Sequence, residues 1–254
     1  MRLRGMRITV RGLSMFARVA TAAGADAPPI VLVHGVAVSS RNMVPSAELL
    51  AADYRVFAVD LPGHGNSDHP SRPLDTWEHA ETLQAWLEAV GVPAAVLVGN
   101  SYGCQVIAEL AVRYPRSVAA TVLQGPTVDG FARTRGRQLA RWLVNATREA
   151  SAQQLALFTD WRQAGLRTML HGGRHMFEHR IETVLPGVLA PTLVVRGERD
   201  PLVSQEWAEH VTELLPNGRL AVVPNAAHTI PFKYPEELAR LVRDFVRDLS
   251  TWRG

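Results

Sequence analysis

The sequence predicts an α/β fold: a mostly parallel eight-stranded sheet flanked by helices, with a helical segment inserted after the sixth strand. Three observations predict it. Six short runs are apolar on both faces, interrupted only by Thr121 and Thr192, as strands covered on both sides require. Segments with helical periodicity separate them, the grammar of strand–helix–strand crossovers. The interval between Gln124 and Pro191 holds more than sixty residues without a convincing strand, whereas a crossover needs only one helix.

Taken in order, Met6–Val10 and Ser14–Val19 alternate around Arg11-Gly12-Leu13 and read as an antiparallel hairpin. The doubly apolar runs follow at Ile30–Val33, Val56–Val59, Ala94–Val98, Ala119–Leu123, Thr192–Val195 and Leu220–Val223. Helices are expected over Val44–Ala52, Thr76–Val90, Tyr102–Tyr114, Ser204–Leu215 and Pro235–Ser250. In the last, Leu238, Leu241, Val242, Phe245 and Leu249 form one stripe opposite Arg240, Arg243, Asp244 and Arg247, the pattern of a helix that covers a sheet.

The uninterrupted interval divides the chain into a core, residues 1–125 and 187–254, and a helical cap, residues 126–186. The cap carries nine arginines against five acidic residues, together with Trp142, Phe158, Trp161 and Phe177. Gly172-Gly173 is the expected joint between its helices.

At 254 residues and 47% apolar composition, the chain is long enough for one sizeable core. A formal charge of +3, with no basic run and no interleaved basic and aromatic strand, argues against nucleic-acid binding. Of 27 basic residues only Lys233 is a lysine, a skew that reads as base composition and not as function. The single cysteine, Cys104, excludes an internal disulfide and any multi-cysteine metal cluster. Met1–Val10 is basic but is followed by alternating residues, not by the apolar core of a secretory leader. No apolar run approaches the roughly 18 residues of a membrane span. A cytoplasmic protein without membrane or nucleic-acid partners is expected.

The chemistry centres on Gly99-Asn100-Ser101-Tyr102-Gly103, a serine between glycines that follows a buried strand and precedes a helical pattern. A serine hydroxyl needs a neighbouring base to become a useful nucleophile. Of nine histidines, His228 sits in a small-residue loop after the last strand, on the sheet edge that Ser101 shares. Asp200, after the strand Thr192–Val195, is the matching acid, and Asp129 is its rival. His171, His175 and His179 recur every four residues as metal ligands on a helix would, but Gly172-Gly173 interrupts that helix and Ser101 requires no metal.

The order Ser101, Asp200, His228 on this strand pattern resembles the α/β-hydrolase fold superfamily. His34-Gly35, the run Asp60-Leu61-Pro62-Gly63-His64-Gly65-Asn66-Ser67, and Gly197-Glu198-Arg199-Asp200 carry the resemblance across nearly the whole chain. It implies an oxyanion hole from the backbone N–H groups of Val36 and Tyr102, a structural role for His34, a supporting one for Glu198, and no cofactor. Serine at the elbow implies acyl transfer, unlike the similar dehalogenases and epoxide hydrolases that use aspartate there. The expected reaction is hydrolysis of a small to medium carboxylic ester, thioester or lactone. Asn100, Trp142 and Trp161 are the expected substrate contacts, and a cap arginine is a candidate partner for a substrate carboxylate.

Asn100 before the serine and the arginine-rich cap also resemble the carbon–carbon hydrolases that cleave vinylogous diketones from aromatic ring opening. That family carries tryptophan after its histidine, where this chain has Thr229, and a glycine-rich loop, where it has Val36-Ala37-Val38-Ser39. A related acyl transferase and a non-catalytic ligand receptor are the remaining alternatives that the resemblance allows.

Overall fold

The computed structural model describes residues 2–20, 27–148 and 151–249. Its strands are β1 (Arg4–Val10), β2 (Leu13–Ala20), β3 (Ile30–Val33), β4 (Val56–Val59), β5 (Ala95–Asn100), β6 (Val118–Gln124), β7 (Thr192–Gly197) and β8 (Gly218–Val223). They form one sheet in the order β1-β2-β4-β3-β5-β6-β7-β8. β1 and β2 make the expected hairpin, and β2 also runs antiparallel to β4; every later pairing is parallel.

Alternate residues of the doubly apolar strands feed two cores. Val31, Val33 and Leu97 face α2 (Thr76–Ala89), α3 (Tyr102–Arg113) and α7 (Gln205–Leu214). Ile30, Leu32, Val96 and Val98 face α1 (Val44–Leu50) and α9 (Pro235–Leu249). α9 buries Leu238, Ala239, Val242, Phe245 and Val246 and leaves Leu241 and Leu249 half-buried at the stripe's margin; its expected last residue, Ser250, lies outside the described residues. α2 begins with a capping box, Asp75 and Glu78 each accepting the other's backbone N–H, which satisfies two donors that the first helical turn leaves unpaired.

β3 is central to what the sheet can do. The chain leaves it for β4 on one side and later passes it to enter β5 on the other. Loops from the carboxyl ends of β3 and β5 therefore diverge, and the gap between them is a ready crevice.

Between β6 and β7 lie α4 (Arg135–Arg148), α5 (Ser151–Glu178) and α6 (Ile181–Val184). The expected joint at Gly172-Gly173 is not where the chain breaks. α5 passes through both glycines and is interrupted at Gly165, with φ 73° and ψ 158°. That conformation is open essentially to glycine alone. Gly172 answers a different need: a Cβ there would stand 2.9 Å from Val36 Cγ2, so the missing side chain lets the helix lie against the loop after β3. From Ile181 onward the chain is back in the core, with Ile181, Leu185 and Val188 packed beside α3. α8 (Ile230–Lys233) and the 3-10 turn Ser40–Met43 are too short for periodicity to reveal.

Candidate active site

Ser101 stands between β5 and α3 with φ 55° and ψ −116°, a strained backbone for a residue with a Cβ. The turn is tight because the helix starts almost on top of β3: a Cβ on Gly103 would lie 2.4 Å from the Val33 carbonyl oxygen, and one on Gly99 would lie 2.8 Å from the Cys104 nitrogen. The Ser101 N–H donates to the Gln124 carbonyl at 2.9 Å, which ties the turn to β6. Its Oγ is 3.3 Å from Thr127 Oγ1.

His228 and Asp200 meet 28 residues apart in sequence. His228 Nδ1 is 2.7 Å from Asp200 Oδ2, and the Asp200 side chain is buried. The other carboxylate oxygen, Oδ1, accepts the N–H groups of Leu202 (2.8 Å) and Val203 (3.2 Å), so the acid is held by its own loop while it faces the imidazole. Nδ1–H donated to Asp200 leaves Nε2 as the basic nitrogen, the tautomer a general base requires. Asp129, the rival acid, is buried elsewhere, bound to the Arg141 guanidinium at 2.6 Å and to the N–H groups of Phe131 and Ser204. Glu198 accepts the Asn225 N–H at 2.8 Å and so braces the loop that carries His228.

Two imidazoles shape the surroundings of Val36 and Tyr102. His34 Nε2 accepts the Leu61 N–H at 3.0 Å, which directs Nδ1–H to the Gly35 carbonyl at 2.7 Å. His79 gives its Nε2–H to the Pro62 carbonyl and accepts the Tyr102 hydroxyl at Nδ1, 3.0 Å away. Burial holds both rings neutral, lowering His34 and pushing His79 down to about 4. Tyr102 is thus anchored by its side chain at the first turn of α3, where backbone N–H groups have no helical partner.

Ser101 and His228 share one cavity of about 470 Å3 with Val36, Asn100, Trp142 and Trp161. The two tryptophans touch, ring centroids 5.7 Å apart. Asn100 is nearly buried, its amide donating to Gln124 Oε1. The rest of the wall is mainly apolar, with Val38, Val128, Met169, Met176, Phe177 and Leu202, and its polar groups are neutral amides and hydroxyls. Among the described residues no arginine lines it; Arg133 and Arg141 of the insertion are bound to Glu182 and Asp129. The side chain of Phe158, within α5, lies outside those described.

The three spaced histidines do not converge. His179 reaches across to Glu109 of α3 at 2.9 Å, while His171 and His175 lie tilted to each other with ring centroids 6.5 Å apart. Among the described residues no group of three or more His, Cys, Asp or Glu could hold a metal ion, and no helix is long and apolar enough to cross a membrane.

Sequence reasoning missed Gln124, the last residue of β6, and Gly125 and Thr127 just beyond it. Gln124, fully buried, donates its amide to the His228 carbonyl at 2.9 Å. Gly125 leaves room for the imidazole: a Cβ there would be 2.8 Å from His228 Cε1. The one legible signal was a glycine directly after a buried strand.

The chain matches the alpha/beta hydrolase family over residues 30–241. It is similar to carboxylesterase YbfK of Bacillus subtilis, 25% identical over 242 residues that cover 87% of this chain and 81% of the relative. It is also similar to 2-hydroxy-6-oxononadienedioate/2-hydroxy-6-oxononatrienedioate hydrolase 2 of Pseudomonas putida, 27% identical over 259 residues that cover 88% of this chain and 89% of the relative. Among solved structures, esterase RhEst1 of a Rhodococcus species superposes with a TM-score of 0.75 at 27% identity, over 98% of this chain and all of that one. With this fold and this cavity, the chain is an enzyme and belongs to the alpha/beta hydrolase family.

Proposed function

We propose that the protein is a serine hydrolase that cleaves a small to medium, uncharged carboxylic ester, thioester or lactone through an acyl-enzyme on Ser101. The observation that carries this reading is the Asp200–His228 pair, 2.7 Å apart, in the same apolar cavity as the strained Ser101. Ser101 Oγ attacks the carbonyl carbon while His228 Nε2 takes its proton. The tetrahedral oxyanion is received by the N–H groups of Val36 and Tyr102, each worth about 3 kcal/mol because it meets charge that develops only in the transition state. Collapse expels the alcohol or thiol with the proton from His228. Water, deprotonated by His228, then attacks the acyl-enzyme, and the acid leaves as Ser101 regains its proton.

The cavity's size suits a small organic substrate. The helices between β6 and β7 act as the cap, with Trp142 and Trp161 against the acyl group. Trading water for this wall without a cationic partner is costly for a carboxylate. That favours a neutral ester over the dioate in the name of the Pseudomonas putida relative.

A fluorophosphonate probe should label wild-type protein at Ser101, as read by intact mass, and leave Ser101→Ala unlabelled. Turnover of p-nitrophenyl esters should fall by about 10⁶-fold in Ser101→Ala. Kcat/KM for p-nitrophenyl hexanoate should exceed that for an ester of equal length ending in a carboxylate by at least about tenfold. Turnover surviving in Ser101→Ala would overturn the mechanism, and a preference for the carboxylate ester would overturn the substrate class.

A further inference from the structure

Asp160 is a charged residue of the insertion that is buried against the core. Only 1% of its side chain is exposed. It accepts the Ser39 N–H at 2.9 Å and the Ser39 hydroxyl at 2.9 Å, and it pairs with the Arg41 guanidinium, which also reaches Gln163 Oε1 at 2.9 Å. A carboxylate is buried this deeply only when such donors replace its water. All of these donors come from one place, the segment that follows β3 and begins with Val36.

That segment is gripped a second time by the same helix. Beyond the break at Gly165, Gly172 lies against Val36 so closely that a Cβ would stand 2.9 Å from its Cγ2. Between the two contacts sits Ala37, at φ 58°, a left-handed backbone that alanine adopts only when its surroundings require it. The core anchors the segment at its two ends, through His34 on the Gly35 carbonyl and through Asp60, whose Oδ1 accepts the Ser40 N–H at 2.7 Å. Between those ends, the two halves of α5 add the contacts at Val36 and Ser39 that brace the strained course of residues 36–39.

We propose that Asp160 is a positioning residue for the oxyanion hole: through Ser39 and Arg41 it holds the Val36 N–H in its catalytic orientation, so the centre is complete only with the insertion seated. This rests on the serine-hydrolase reading for the role of Val36, but not for the clasp itself. Asp160 touches no reacting atom. Its loss acts on the transition state, where the oxyanion forms, and leaves ground-state binding nearly intact.

The test uses the full-length protein as wild type, Asp160→Ala, Asp160→Asn and Arg41→Gln. Two readouts are taken: amide hydrogen exchange of peptides spanning 34–43, and ester kinetics with the rate of fluorophosphonate labelling. Asp160→Ala should speed exchange in 34–43 while β5 and β7 stay protected. It should lower kcat and the labelling rate by about 10- to 100-fold with KM changed less than about threefold. The isosteric Asp160→Asn, which keeps one acceptor oxygen for Ser39, should recover part of both. If Asp160→Ala fails to fold, Asp160→Asn and Arg41→Gln carry the same comparison at smaller amplitude. A lower melting temperature with unchanged exchange in 34–43 and unchanged kcat would reduce Asp160 to a structural contact and overturn the proposal. Faster exchange in 34–43 in a protein whose wild type never labels would uphold the clasp and overturn the hydrolase reading.

Discussion

At the scale of single residues, the site is built as much from missing side chains as from present ones. Gly125 shows it most directly. Its φ of 59° and the 2.8 Å from a would-be Cβ to His228 Cε1 mean that any side chain must displace the imidazole or move β6. With His228 as the proposed base, Gly125→Ala should therefore lower kcat by about 10²-fold, since an ångström of displacement at a catalytic group is worth that much. Its backbone cost is about 1 kcal/mol. Circular dichroism and ester kinetics on the same sample check both, and full activity would show that the imidazole tolerates the methyl. The two aspartates make a parallel point. Asp129 and Asp200 are both buried after strands, and only their partners, a guanidinium for one and an imidazole for the other, tell them apart. The sequence favours Asp200 over its rival Asp129, but a carboxylate's partners become visible only when the fold brings them to face it.

Elements position those residues, and α5 is the one whose behaviour the sequence obscured. Two glycine signals lay within eight residues of each other, and the more conspicuous pair was the wrong one. Gly172-Gly173 continues the helix because glycine merely lowers propensity there, by about 1 kcal/mol, and close packing on Val36 makes use of the missing Cβ. Gly165 has nothing within 4 Å of a would-be Cβ, so its reason is purely backbone, φ 73° with ψ 158°. Gly165→Ala should accordingly cost about 1–3 kcal/mol although it fills empty space. Urea unfolding measures it, and an unchanged midpoint would mean that α5 adapts without the break. By contrast, α2, α3, α7 and α9 were legible to within two residues at each end. Their apolar stripes are regular, and caps such as Asp75 and Ser204 mark where they start.

For the whole molecule, the same cluster that braces the site sets its acid stability. His34, His64 and His79 are buried side by side, with ring centroids 5.1 Å and 6.1 Å apart along the row. All three are pushed below the ordinary histidine value of 6.5, chiefly by burial, and His79 lies at about 4. Between pH 6.5 and 4 the unfolded chain binds protons that the folded one refuses, so stability falls as pH drops through that window and is unaffected above it. From pH 7 to pH 5, His79 alone should cost about 2 kcal/mol. Urea unfolding at the two pH values checks this, and equal midpoints would mean that the imidazoles are charged at little expense. The loss reaches the site because His34 holds Gly35 and His79 holds Tyr102.

What the sequence by itself determined is whatever depends on local pattern. Doubly apolar runs of four or five residues, too short for buried helices, read as strands covered on both sides, and their alternation with helices implies a parallel sheet. A serine between glycines at a strand end, with an aspartate and a histidine after later strands, predicts which loops share an edge. Tertiary structure decided the rest: the sheet order that opens a crevice between β3 and β5, the partner that separates Asp200 from Asp129, the wall without arginine among the described residues, and the clasp from Asp160 to Ser39 across 121 residues. The physical reason is range. Propensity and periodicity act over a turn or a strand, whereas a buried charge or an empty Cβ position has meaning only through atoms that the fold brings within a few ångströms.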